Sequence, residues 1–150
     1  VFGTLHTTSA PKTIDRIIDV FPGEEKDMVR SMLSESLRAV ISQTLLKKIG
    51  GGRVAAHEIM IGVPAIRNLI REDKIAQMYS SIQTGASHGM QTMDQCLNNL
   101  VNHGIVTTAA AKGKGAGRRP TCSLVLNVLW FLSAIRFRGE VPCSVCRQTQ

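Results

Sequence analysis

Apolar positions along the chain recur with two periods, and the switches between them outline a succession of elements. Phe2 to His6 is a short apolar run that opens as if inside a strand. It ends in Thr7-Thr8-Ser9, hydroxyl residues able to cap a helix. Ile14, Ile17, Ile18 and Phe21 then fall at i, i+3, i+4 and i+7, with Asp15, Arg16 and Asp19 on the opposite side, which predicts an amphipathic helix. Pro11 is tolerated in its first turn, and Pro22-Gly23 stops it. Glu24 and Glu25 open a second helix at the positive end of its dipole, with Met28, Met32, Leu33 and Leu37 as the predicted buried stripe.

From Ala39 to Ile49 the texture becomes β-type, and a second such run extends from Arg53 to Ile61. Gly50-Gly51-Gly52 between them predicts a hairpin, because glycine accepts the positive φ of tight turns. Three helices follow. Pro64 begins one with Ala65, Ile66, Leu69 and Ile70 inward. Asp73 is expected to cap the next, which bears Ile75, Met78, Tyr79 and Ile82. Thr92 caps the last, with Met93, Leu97, Leu100 and Val101 on one face and Gly104 as its stop. One leading strand cannot form a sheet by itself, so its partners are expected upstream and the chain reads as a fragment.

Charge changes the picture beyond residue 108. Residues 1–108 carry 11 Lys/Arg against 10 Asp/Glu, whereas 109–150 carry 7 Lys/Arg against Glu140 alone, so the net +7 sits almost wholly in the tail. Residues 109–120 are rich in Gly, Ala, Lys and Arg and read as a basic linker. Cys122 to Ile135 is uncharged but shorter than the ~20 residues a membrane helix needs, and it shows no clear period. Residues 109–150 are therefore expected to stand outside the folded unit, as an out-of-frame or misjoined end or, alternatively, a basic membrane-binding extension. Cys143 and Cys146 have the spacing of half a zinc site, with no second pair to complete one. No charged segment leads into an apolar one at the N-terminal end, as a secretory leader would require.

Three motifs carry a resemblance. Gly3-Thr4-Leu5-His6-Thr7-Thr8-Ser9-Ala10 places a histidine where a strand gives way to a helix, the position at which α/β folds hold ligands. Ala65-Ile66-Arg67-Asn68-Leu69-Ile70-Arg71-Glu72 sets Arg67 and Arg71 at i, i+4, with Asn68 and Glu72 beside them. Read alone, the first is a histidine on a loop carbonyl and the second a solvated helix face. Ser42 to Lys48, the three glycines and Ala55 to Met60 form the third. Together they resemble the type IV pilus retraction ATPases of the PilT (twitching-motility) family over about residues 1–106. In that family the first octet is similar to the histidine box, which would put His6 near the nucleotide's terminal phosphate. The second octet resembles the retraction motif, which would make residues 65–72 a surface that transmits motion. The assembly and secretion branch commonly carries a four-cysteine zinc module after the equivalent strand, where this chain has Gly50-Gly51-Gly52.

The resemblance implies an α/β fold, the C-terminal part of a RecA-like P-loop ATPase domain over 1–108. It implies a homohexameric motor on the cytoplasmic face of the inner membrane, using ATP and Mg2+ and working on a pilus platform protein. No G-x-x-x-x-G-K-[ST] occurs in this sequence: Gly113-Lys114 has Thr108 at the first position and Gly115 at the last. The isolated chain is therefore expected to bind no nucleotide cofactor and to be inactive. His57-Glu58 begins like a zinc-protease motif, but Ile61 stands where the second histidine would be, and no metal is expected. The alternatives are an assembly or secretion ATPase, and a basic adaptor for anionic membrane or nucleic acid. Trp130 and Phe131 lie among apolar residues, and Phe137 alone, between Arg136 and Arg138, does not make the interleaved series a stacking platform requires, so nucleic acid is not expected.

Overall fold

In a computed structural model the chain is described over residues 2–113 and 121–127. Strand β1 (Phe2–Thr7) leads into helix α1 (Ala10–Ile18), a 3-10 turn at Gly23–Glu25, and helix α2 (Lys26–Ser36). The hairpin β2 (Leu37–Lys47) and β3 (Arg53–Ile61) follows. Then come α3 (Pro64–Arg71), α4 (Ile75–Thr84), a 3-10 turn at Gly85–His88, α5 (Met93–Asn102), α6 (Thr108–Lys112) and β4 (Thr121–Asn127). All three hairpin glycines take positive φ, as the turn demands.

The sheet order is β1-β4-β2-β3 with every neighbouring pair antiparallel, so β1 and β2 run parallel with β4 between them. Strand β4 belongs to the segment expected to stand apart, and its backbone pairs with β1 from Phe2↔Leu126 to Thr7↔Thr121 and with β2 on its other edge. A strand bonded along both edges needs no alternating pattern to be held, which is why period alone did not mark it. Helix α6 also crosses the expected boundary, capped by the Thr107 side chain and packing Ala110 and Ala111 against the hydrophobic residues of α5. Cys143 and Cys146 lie outside the described residues.

One face of the hairpin organises the interior. Val40 and Met60 pair across the strands at one end, and Leu46 and Val54 at the other. Val40 and Met60 join the larger core of Ala10, Ile14, Ile18, Val29, Leu33, Leu37, Ile66, Ile70, Met78 and Ile82. Leu46 joins a smaller one with Ala56, Met93, Leu97 and Val106. Between the two cores the same face carries Ser42 opposite Glu58, and Thr44, all buried. A polar waist thus divides two apolar clusters.

Two helical stripes depart from expectation. Of the stripe expected for α2, Leu33 is buried and Leu37 is buried as the first residue of β2, whereas Met32 is half-buried and Met28 is 54% exposed, with Val29 buried in its place. The helix proper begins at Lys26, and its phase turns the stripe by one residue. In α3, Ile66 and Ile70 are fully buried while Ala65 faces solvent and Leu69 is half-buried. Asp73 does not cap α4; it takes φ 58°, a left-handed position that ends α3, and Lys74 precedes the next helix. Thr92 caps α5 as expected, and Gln95 reciprocates to complete a capping box.

Candidate functional site

The first candidate region is the junction of β1 and α1. His6 is exposed on β1, and no hydrogen bond joins its side chain to another described residue. The residues after it are fixed. The Thr7 and Thr13 hydroxyls lie 2.7 Å apart, and Thr13 Oγ1 also donates to the Ser9 carbonyl at 3.0 Å. The first turn of a helix leaves N–H groups without internal partners, and here the Ala10 and Lys12 groups find acceptors. Ala10 N–H donates to Glu58 Oε2 at 2.7 Å, Pro11 has none, Lys12 N–H donates to Ser9 Oγ at 3.4 Å, and Thr13 N–H to the Ser9 carbonyl at 3.1 Å. Left without a partner among the described residues at this junction are the exposed His6 imidazole and the buried Thr8 hydroxyl.

Glu58 is only 3% exposed. Burial pushes its carboxyl above the usual carboxylate range; the Ala10 N–H draws it down, and the nearby Asp94 raises it further. Tyr79 donates to Asp94 Oδ2 at 3.0 Å, and burial together with that bond raises the phenol. Glu58 was not singled out as a site residue from sequence. The signal was present: a glutamate at an inward position of a strand whose neighbours Ala56 and Met60 are both fully buried.

The second candidate region is α3 and its ends. Arg67 is half-buried, and its Nε donates to the Gly62 carbonyl at 2.8 Å. Gly62 donates in turn to the Arg38 carbonyl at 2.8 Å, and a Cβ at this position would run into the Leu37 carbonyl oxygen. Arg71 is exposed and reaches the buried Ser34 hydroxyl only at 3.5 Å. Glu72 pairs with Lys74 at 2.8 Å, which holds its carboxyl below the usual range. Arg30 of α2 bridges Asp27 and Asp73, both at 2.9 Å. The motif read as a solvated face is thus fastened to α2 and to the end of the hairpin through Arg67 and its flanks, leaving Ala65, Asn68 and Arg71 outward.

The structure keeps His6 and residues 65–72 as separate features, with no hydrogen bond between them among the described residues. No group of His, Cys, Asp and Glu that could hold a metal occurs among the described residues, and no helix there is long and apolar enough to cross a membrane. His57 bonds Gln43 at 3.2 Å and takes no part in a metal cluster.

No family model matches the chain. Known proteins do. The Pseudomonas aeruginosa type IV pilus retraction ATPase PilT is 76% identical over 114 residues, covering 76% of this chain and 33% of its own length. A Neisseria gonorrhoeae twitching motility protein is 66% identical over 113 residues, covering 75% of this chain and 30% of its own length. Among solved structures, the pilus retraction motor PilT with bound ADP superposes with a TM-score of 0.67 at 48% identity, over 74% of this chain and 31% of that one. The Legionella pneumophila ATPase DotB shares the fold, with a TM-score of 0.60 at 24% identity over 72% of this chain and 29% of its own. The chain spans about a third of the length of the relatives it matches. At 76% identity to PilT over 114 residues and with a mixed α/β fold held in common with the solved structure, the chain belongs to the PilT family of type IV pilus retraction ATPases.

Proposed function

We propose that this chain supplies part of a motor that retracts type IV pili by hydrolysing ATP, with His6 facing the nucleotide and residues 65–72 transmitting movement. The observation that carries the reading is the 76% identity to PilT over 114 of the 150 residues. ATP with Mg2+ would supply the phosphoryl chemistry. What supports the reading on this side is an exposed imidazole at the end of β1, bonded to no described residue, beside the Thr8 hydroxyl and the start of α1. The motor would be a homohexamer, peripheral to the cytoplasmic face of the inner membrane, engaging the pilus platform protein there. The assembly branch is the weaker reading, because the Ala65–Glu72 octet and the cysteine-free hairpin turn follow the retraction pattern.

Arg67 is a poor probe of transmission, since removing it also breaks its bond to Gly62. Asn68 and Arg71 are the better pair. In the complete ATPase carrying this sequence, the double change Asn68→Ala and Arg71→Ala is expected to leave ATP hydrolysis within about twofold and to abolish retraction. Retraction at the unaltered rate would refute the assignment. Equilibrium dialysis of this chain alone with labelled ATP should detect no micromolar binding, since it contains no phosphate loop.

A further inference from the structure

We propose that Glu58 is a positioning residue whose carboxylate holds the start of α1, and through it the turn Thr7–Ala10, in the register that presents His6. The proposal rests on the reading of His6 as a nucleotide-site residue.

Position 58 faces inward on β3, between Ala56 and Met60, where an apolar side chain would join the two cores into one. A carboxyl there carries a desolvation cost that a hydrocarbon would not. What it gains is an acceptor at the one donor of α1 that its own cap cannot reach. Ser9 serves Lys12 and Thr13, and the Ala10 N–H is left to Glu58, 48 residues away in sequence. The bond is short, 2.7 Å, and charge-assisted when the carboxyl is ionised. With the Thr7–Thr13 hydroxyl contact it fastens the segment after His6 at two points, one on each side of Thr8 and Ser9. The His6 side chain bonds no described residue, so its direction follows from its backbone, held by the β4 ladder on one side and by the segment that Glu58 fixes on the other. Asp94 from α5 and Tyr79 from α4 are the ionisable groups that influence this carboxyl from the neighbouring helices.

Glu58→Met removes the acceptor at similar volume, and Glu58→Gln keeps a carbonyl oxygen that can accept from Ala10. In this chain, amide exchange at Ala10 is expected to rise about tenfold or more in Glu58→Met. The Ile59 amide, bonded to the Gln91 carbonyl, should hold its rate, and Glu58→Gln should restore Ala10. In the complete ATPase, Glu58→Met should lower kcat about tenfold with KM for ATP within about twofold, and Glu58→Gln should recover most of it. Equal loosening at Ala10 and Ile59, or no rescue by glutamine, would overturn the proposal and make Glu58 a general core residue. Release confined to Ala10 with kcat unchanged would uphold the tether and overturn the nucleotide reading of His6. Should Glu58→Met not fold, Glu58→Leu removes the same acceptor with a different apolar shape, and Ala10 exchange and the loss of kcat are read there.

Discussion

His6 and Arg67 sit in two octets of similar polarity, yet the fold treats them in opposite ways. At the β1–α1 junction the backbone is pinned while the functional side chain is free: Ser9, Thr13 and Glu58 take up the helix donors, and His6 engages nothing described. At α3 the side chains are the fasteners. Arg67 grips Gly62, Arg30 reaches across to Asp73, and Ile66 and Ile70 are fully buried beneath. The first arrangement suits a group that must meet a ligand on arrival. The second suits a rigid element that passes displacement to its neighbours. Charge in a motif does not say which of these it serves; its partners do.

The contrast can be broken from the α3 side first. Ile70→Ala should cost about 2–5 kcal/mol, because a fully buried side chain leaves a cavity between α3 and the larger core. Urea unfolding followed by circular dichroism measures it; a loss under about 1 kcal/mol would mean that α3 is loosely seated. Next comes Arg67→Ala, expected to cost about 1–3 kcal/mol through the orphaned Gly62 carbonyl, against about 0.5 kcal/mol or less for Arg71→Ala. Equal effects at the two arginines would erase the distinction between fastener and outward face. His6→Ala should be smallest, within about 0.5 kcal/mol in the same assay, since the side chain is exposed and unbonded. A larger loss would show that His6 is part of the fabric.

Acid sharpens the other half of the contrast. The folded-state pKa of Glu58 is raised above 4.5, so the stability this group contributes is fully present below that value and is lost as pH rises through the folded pKa. Wild type should therefore gain on Glu58→Gln as pH falls from neutral towards 4.5. Urea midpoints of the two proteins at several pH values give the difference directly, and a difference that stays constant would mean the carboxyl is not desolvated in solution.

Much of this was legible from residue order. The hairpin with its glycine turn and the bounds of β3, the apolar face of α1 and the Thr92 cap follow from periodicity and capping chemistry, which are local, whereas β2 runs from Leu37 to Lys47 and not from Ala39 to Ile49. Failures came where distant contacts decide. The phase of α2 depends on where the 3-10 turn ends, and Met28 and Val29 are both apolar, so the sequence offers two neighbouring stripes. Asp73 reads as a helix cap by residue type, but the carboxylate is claimed by Arg30 and the backbone turns left-handed. Arg67 reads as solvated because its partner is a main-chain carbonyl, which no side-chain pattern announces. Glu58 could have been flagged as a polar residue on an inward strand position, though its partner Ala10 could not.

The position of β4 has a consequence for the order in which the chain acquires its structure. The hairpin strands are joined by a short glycine turn and can pair as soon as both exist, on a microsecond scale typical of hairpins. Strand β1 is at the other extreme: among the described residues it pairs only with β4, so its ladder within this chain waits for residues 121–127. Closing so long a loop is slow relative to local pairing. Until then β1 lacks the one partner it has among the described residues, and Phe2 remains 72% exposed even in the finished sheet. Halted before residue 121, this chain should hold a formed hairpin while β1 still waits for β4, and that strand is the place where a chaperone or another strand would take hold.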